Sequence, residues 1–267
     1  MKSVTIKRKE LDYATREAMK SVRANLQFCG ADIKTIVITS CVANEGKSSV
    51  TLELACSLAE SGKKALLIDA DLRNSVLMGT SEVQGGSQLK GLSHVLSGQC
   101  TINDAICQTN IRNFYTIFTG PFPPNPSELL SGARFKNLIR ALRDKFDYIL
   151  IDSPPVGLVI DAAVISEACD GSILVIASGE ISYHFAQDAK AQLLRSDCPI
   201  LGVILNKVEA GHDSYGRYGK YGKYGKYGKY GKYGSYGNYG QNNTSSAKNS
   251  AESVLDDIGE VNEEVKG

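Results

Sequence analysis

The sequence predicts a doubly wound α/β domain with a mostly parallel sheet, followed by a disordered tail rich in tyrosine, glycine and lysine. Three observations carry this reading. Short β-rich apolar runs recur, with longer polar or helix-periodic stretches between most of them. Two runs, YILI and SILVIA, are apolar on both faces, as strands covered on both sides by helices must be. From Ser214 onward a Tyr-Gly pair recurs every three residues, which removes helix propensity and supplies no core.

Taken in order, the runs are Thr35–Thr39, Ala65–Ile68, Phe114–Phe118, Tyr148–Ile151, Ser172–Ala177 and Ile200–Leu205. Ligands of open parallel sheets bind beyond the carboxyl ends of the strands, so the residues after each run carry the functional reading. After TIVIT comes Ser40-Cys41-Val42-Ala43-Asn44-Glu45-Gly46-Lys47-Ser48-Ser49, then VTLELACSLAESG with helical spacing. A loop ending in Gly-Lys-Ser at a helix start aims backbone N–H groups at phosphate oxygens, extends its lysine to the β- and γ-phosphates and gives its hydroxyl to Mg²⁺. This is a P-loop, and the sheet is accordingly of the P-loop NTPase type. Cys41 stands where the first glycine usually does, and Asn44 tolerates the left-handed conformation a tight loop demands. Asn44, Glu45, Gly46, Lys47, Ser48 and Ser49 are the expected nucleotide-holding residues.

Two further strand ends add carboxylates. Ala65–Ile68 runs into Asp69-Ala70-Asp71-Leu72-Arg73, and Tyr148–Ile151 runs into Asp152-Ser153-Pro154-Pro155. Acids just past a buried strand are expensive unless a cation offsets their desolvation, and a hard cation beside a triphosphate does so. Ser48, Asp71 and Asp152 are therefore the expected Mg²⁺ shell. Asn206, at the end of the last run, is open between a contact to the nucleotide base and a plain turn residue.

Composition excludes a wholly disordered chain: 267 residues, 42% hydrophobic, 22% charged and a net charge of +1. That near-neutral total hides a balanced body up to Gly211, an excess of five positive charges over His212–Gly240 and of four negative ones after it. No apolar run approaches the roughly 18 residues that cross a bilayer, and the start lacks the apolar region of a secretion signal, so a cytoplasmic location is expected. Seven scattered cysteines without CxxC spacing fit reduced thiols better than disulfides or zinc.

ANEGKSS, LLIDADLR, ILIDSPP, the PPNPSELL segment at Pro123–Leu130, GVILNK at Gly202–Lys207 and the terminal tyrosine cluster together resemble the bacterial tyrosine kinases, P-loop enzymes associated with capsule and exopolysaccharide synthesis. The resemblance covers roughly Glu10 to Val208 and, by its character, the tail. It implies ATP and Mg²⁺ as cofactors and transfer of phosphate to Tyr215, Tyr218, Tyr221, Tyr224, Tyr227, Tyr230, Tyr233, Tyr236 and Tyr239 of a neighbouring copy in a ring-like homo-oligomer. A phenol with a pKa near 10 is only about 0.1% ionised at neutral pH and needs a carboxylate to take its proton; Asp69 is the candidate base, as the resemblance also implies. Lys47 then neutralises charge on the phosphates and Arg73 steadies a phosphate or a neighbouring acid.

The resemblance also implies a division of the chain. Residues 1–30 form a helical oligomerisation segment, residues 31–211 the kinase domain and residues 212–267 the tail. The family's E-x-x-R-x-x-R subunit motif appears as Glu17, Lys20 and Arg23, with Lys20 lacking the planar fork of the arginine it replaces. Asn74-Ser75 replaces the family's Arg-Pro, and Ala43-Asn44 its Pro-Gly. Implied partners are a membrane adaptor of the polysaccharide co-polymerase type, which would hold the kinase at the inner face of the membrane, a phosphotyrosine phosphatase and protein substrates.

Two other readings share some of these features. A positioning ATPase of the MinD/ParA type has the same fold but carries a second lysine early in the loop, where this chain has Val42. The basic Tyr-Gly tract also has the composition of a nucleic-acid arm, with rings to stack on bases and lysines for phosphates, although its attachment to a kinase-like domain weighs against nucleic acid.

Overall fold

The computed structural model describes residues 2–8, 10–82 and 89–208. The nine tail tyrosines from Tyr215 to Tyr239, and the whole expected tail 212–267, lie outside the described residues. In chain order the elements are β1 (Lys2–Ile6), α1 (Tyr13–Phe28), β2 (Thr35–Ser40), α2 (Lys47–Glu60), β3 (Ala65–Asp69), β4 (Ser81–Glu82), α3 (Leu92–Leu96), α4 (Ile102–Ala105), β5 (Cys107–Thr109), β6 (Phe114–Ile117), α5 (Pro126–Ser131), α6 (Ala133–Arg143), β7 (Tyr148–Asp152), α7 (Asp161–Ser166), β8 (Gly171–Ala177), α8 (Tyr183–Leu194) and β9 (Ile200–Asn206). The strands form one sheet in the order β4-β1-β5-β6-β3-β7-β2-β8-β9. Its pairings are parallel except β1–β4 and β5–β6.

The six expected strands all form, each end within one residue of its expected place. Their apolar character on both faces has the anticipated cause. Ile36, Ile38, Leu67 and Leu150 pack with Leu54 and Leu58 of α2 on one face. Val37, Leu66, Ile68, Ile149 and Ile151 pack with Phe135, Leu138 and Leu142 of α6 on the other. Among the described residues, no helix is long and apolar enough to cross a membrane.

The N-terminal segment differs from the helix expected over residues 1–30. Its first residues form β1, which pairs in parallel with β5 and buries Val4 and Ile6, with Thr5 half-buried between them. The alternation is that of a half-buried strand, over too short a run to stand out. The helix α1 begins at Tyr13, capped by Asp12, whose carboxylate accepts from the Thr15 N–H at 2.6 Å. Arg8 joins this segment to α2 through Glu53 at 2.6 Å and Glu60 at 2.5 Å.

In the expected subunit-contact trio, Glu17 and Lys20 pair with each other at 2.6 Å on the exposed face of α1. Arg23 turns inward instead. Its guanidinium donates to the Ser57 carbonyl at 2.8 Å and the Ser57 hydroxyl at 3.1 Å, tying α1 to α2 of the same chain.

The strand order creates the site. Because β7 lies between β3 and β2, the loop after β2 and the acids ending β3 and β7 emerge side by side. Asp69 and Asp152 are register partners, and Ile38, two residues before the end of β2, pairs with Asp152.

Candidate active site at the strand ends

The loop from Cys41 to Gly46 turns the chain from β2 into α2. Asn44 takes φ +67° and Gly46 +89°, so the left-handed position anticipated for Asn44 is used. Cys41 needs no such conformation. It is buried against Val156, Leu174 and Ala186, which explains how the loop does without its usual first glycine, and burial, followed by the charge of Glu45, pushes its thiol up to about 12.

Glu45 and Asn206 act on the loop rather than facing the cleft. The Glu45 carboxylate is fully buried and accepts from the Val42 N–H at 2.8 Å and the Ala177 N–H at 3.1 Å, closing the loop onto the end of β8. Asn206 donates through Nδ2 to the Glu45 carbonyl at 2.8 Å, so its side chain braces the P-loop from β9. A Cβ on Gly46 would lie 2.2 Å from that Nδ2, at a backbone conformation that L-residues rarely adopt. Gly46→Ala is expected to displace the brace and weaken ATP binding by at least about tenfold, measured by calorimetry. Unchanged affinity would show that the brace does not shape the loop.

Lys47 opens α2 and its ammonium lies at the centre of the constellation. Nζ is 3.1 Å from the Ser48 hydroxyl, 3.2 Å from Asp71 Oδ2 and 4.0 Å from Asp152 Oδ1. The three residues expected to share Mg²⁺ thus converge on one cation in the fold itself. Asp71 is fixed by its other oxygen, which accepts the Asn74 and Arg73 N–H groups at 2.9 and 3.3 Å. Asp152 Oδ1 is buried and takes no hydrogen bond among the described residues. Burial is the main cause that lifts Asp152 to about 7, against the pull of Lys47, and burial likewise lifts Asp69 to about 6.

An orphaned, buried carboxylate oxygen beside a hydroxyl and a second acid fits a hard cation. Among the described residues no group of three or more His, Cys, Asp and Glu forms an all-protein metal site. Mg²⁺ is usually bound by one or two carboxylates together with substrate phosphates, a share that Asp71 and Asp152 could supply.

Above this floor opens a cleft of about 500 Å³, walled by Asn44, Ser49, Arg73, Val76, Pro155 and Leu158 among others. Asp71 reaches it, whereas Asp69 and Asp152 do not line it. A neighbouring groove of about 410 Å³ shares Leu158 and Val159 but contains no part of the P-loop.

Three polar residues at this site escape sequence reasoning. Ser75 donates its hydroxyl to Asp69 Oδ2, while the Asp71 N–H approaches Oδ1 at 3.3 Å. Its place in the Asn74-Ser75 departure was visible, but not its partner. Asp161 and Ser127 hold Arg73, so of the two roles expected for that arginine the neighbouring acid is the one occupied in this conformation. Ser127 falls within the PPNPSELL segment, but nothing in that run points to Arg73, and Asp161 stands in no strand-end motif.

A family model described as an AAA domain matches residues 33–195. The tyrosine-protein kinase CpsD of Streptococcus agalactiae serotype III (strain NEM316) is 48% identical over 202 residues, covering 76% of this chain and 86% of that protein. The chain belongs to the bacterial tyrosine kinase family. The solved kinase domain of the Escherichia coli tyrosine kinase ETK matches this bacterial tyrosine kinase with a TM-score of 0.68 at 29% identity, over 79% of this chain and 91% of that one. MinD of Pyrococcus horikoshii OT3, complexed with Mg-ADP, matches with a TM-score of 0.56 at 28% identity, over 67% of this chain and 72% of that one. The kinase thus shares its scaffold with the positioning ATPases.

Proposed function

We propose that this protein is an ATP-dependent tyrosine kinase that phosphorylates the Tyr215–Tyr239 tract of a neighbouring copy within an oligomer. The observation that carries the reading is the convergence of Ser48, Asp71 and Asp152 within 4.0 Å of the Lys47 ammonium. Bound Mg²⁺ would neutralise the phosphates and hold them in line for attack, with Ser48, Asp71 and Asp152 as its protein-side partners. Lys47 would serve the phosphates of a bound nucleotide, and Mg²⁺ would then supply Asp71 and Asp152 with the cation that Lys47 gives them here.

Asp69 is the proposed base. Its Oδ2 is occupied by Ser75, so the acceptor phenol must replace that hydroxyl in order to hand over its proton. With Asp69 near 6, kcat/KM should fall as pH drops through about 6, since the protonated acid cannot accept. Ser75 lowers the Asp69 pKa, so Ser75→Ala should move that limb to higher pH. A profile that stays flat from about pH 5.5 to 8 would remove Asp69 from the role.

Each phosphate adds about −1.5 to −2 charges, so roughly three would cancel the positive excess of the tract and more would invert it. We propose that this swing releases docked tails and drives subunits apart. On this reading the enzyme regulates capsular or extracellular polysaccharide synthesis, is held at the inner membrane face by a membrane adaptor and is reset by a phosphotyrosine phosphatase. The reading is supported by the names of the relatives and by the composition of the tract.

A mixing experiment tests transfer between copies. A Lys47→Met chain serves as acceptor, and a chain whose nine tract tyrosines are all phenylalanine serves as donor. Phosphotyrosine on the acceptor is the expected result; a donor that hydrolyses ATP and leaves the acceptor unlabelled would favour a positioning-type ATPase.

A further inference from the structure

Arg73 leaves the DxDxR turn with 40% of its side chain exposed and lines the nucleotide cleft, yet its guanidinium is clamped from behind. Nε donates to Asp161 Oδ2 at 2.7 Å and Nη2 to Asp161 Oδ1 at 3.0 Å, a side-on bidentate pair. Nη2 also donates to the Ser127 hydroxyl at 2.9 Å, and that hydroxyl donates onward to Asp161 Oδ1 at 2.7 Å. Asp161 is the first residue of α7 and is wholly buried, while Ser127 lies in α5, within the PPNPSELL segment. Three elements far apart in sequence therefore meet on one guanidinium. Its remaining nitrogen, Nη1, makes no hydrogen bond among the described residues.

We propose that Asp161 is a positioning residue that holds Arg73 side-on, so that Nη1 is presented to the terminal phosphate of the nucleotide in the cleft. This rests on the reading of the cleft as an ATP site. The clamp has two physical effects. It removes rotamer freedom from a long side chain before substrate arrives, so less is lost when a phosphate is bound. It also keeps the guanidinium from collapsing onto nearby Asp71, where it would compete with the cation that acid is proposed to share. A buried carboxylate without a cation would be costly, so Asp161 and Arg73 depend on one another. Ser127 extends the clamp to α5.

The test is calorimetric titration with ATP and, separately, ADP, each with Mg²⁺, on the full chain and on Asp161→Asn, Arg73→Ala, their double variant and Ser127→Ala. Asp161→Asn should weaken ATP by about tenfold and leave ADP within about twofold, because ADP lacks the phosphate that Nη1 meets. The double variant should be no worse for ATP than Arg73→Ala alone, since Asp161 acts through Arg73. Ser127→Ala should show the same selective loss at a smaller size, about two- to threefold. Equal losses of ATP and ADP, or losses that add in the double variant, would overturn the proposal by making Asp161 merely structural. Should Asp161→Asn not fold, an unchanged ATP:ADP ratio in Ser127→Ala overturns it and a selective loss upholds it. Because the readout is affinity, a wild-type protein that makes no phosphotyrosine would refute the kinase reading and leave this inference to be decided on its own data.

Discussion

Asp152→Asn is expected to yield a protein that is more stable than the wild type at pH 8 and inactive. The native state binds the Asp152 proton more tightly than the unfolded chain does, at about 7 against 3.8. A group raised in this way makes the native state less stable as pH climbs from about 4 through 7, because ionised Asp152 must then be held in the interior. At about 1.4 kcal/mol per pKa unit, the neutral amide relieves a penalty on the order of 4 kcal/mol at pH 8, or a rise in Tm of roughly 10 °C. The gain should shrink steadily as pH falls from 7 towards 4. Melting curves with chelator present read this directly, and a wild type more stable than Asp152→Asn at pH 8 would refute the assignment. The same exchange removes the negative charge behind the orphaned oxygen offered to Mg²⁺, so Mg²⁺-dependent turnover should fall by at least about 10²-fold. A site that gains stability when its charge is removed is one kept for function.

Lys47→Met should cost about 10²–10³ in phosphoryl transfer, the range for removing one preorganised donor from a developing charge. Its structural signature is the opposite of the first variant's. The Lys47 ammonium is the cation between Asp71 and Asp152, whose side chains are 5% and 2% exposed. Without it Asp152 is pushed further up, so the variant should lose Tm at pH 8 and recover much of it near pH 6 as the acid protonates. Paired melts at the two pH values and single-turnover transfer from ATP separate these effects. More than a tenth of wild-type transfer would place Lys47 away from the reacting phosphate.

Much of the fold was legible because the central strands are apolar on both faces and end in distinctive residues. YILI and SILVIA have no polar side to hide, and the acids after LLI and YILI have no stabilising reason to be there. β1 and β5 were not legible: five and three residues carry too little periodicity against charged or polar neighbours. The residues that converge around Lys47 were visible for the same reason, since a P-loop lysine and strand-end aspartates are local patterns. What tertiary contact alone decides was hidden. The sequence places Glu45 among the nucleotide-holding residues, yet its carboxylate closes the loop on β8, and Asn206 spans 161 residues to reach the same loop. Asp161, in the run VGLVIDAAVIS, reads as an ordinary helix start until Arg73 is seen across the fold.

Phosphosite mapping by mass spectrometry, after incubating the full chain with ATP and Mg²⁺, bears most directly on the claim that these strand ends hand phosphate to tyrosine. Wild-type protein should carry phosphotyrosine within Tyr215–Tyr239 and the Lys47→Met chain, incubated alone, should carry almost none. Equal labelling of the two, or ATP consumed by wild-type protein with no tyrosine modified, would contradict it.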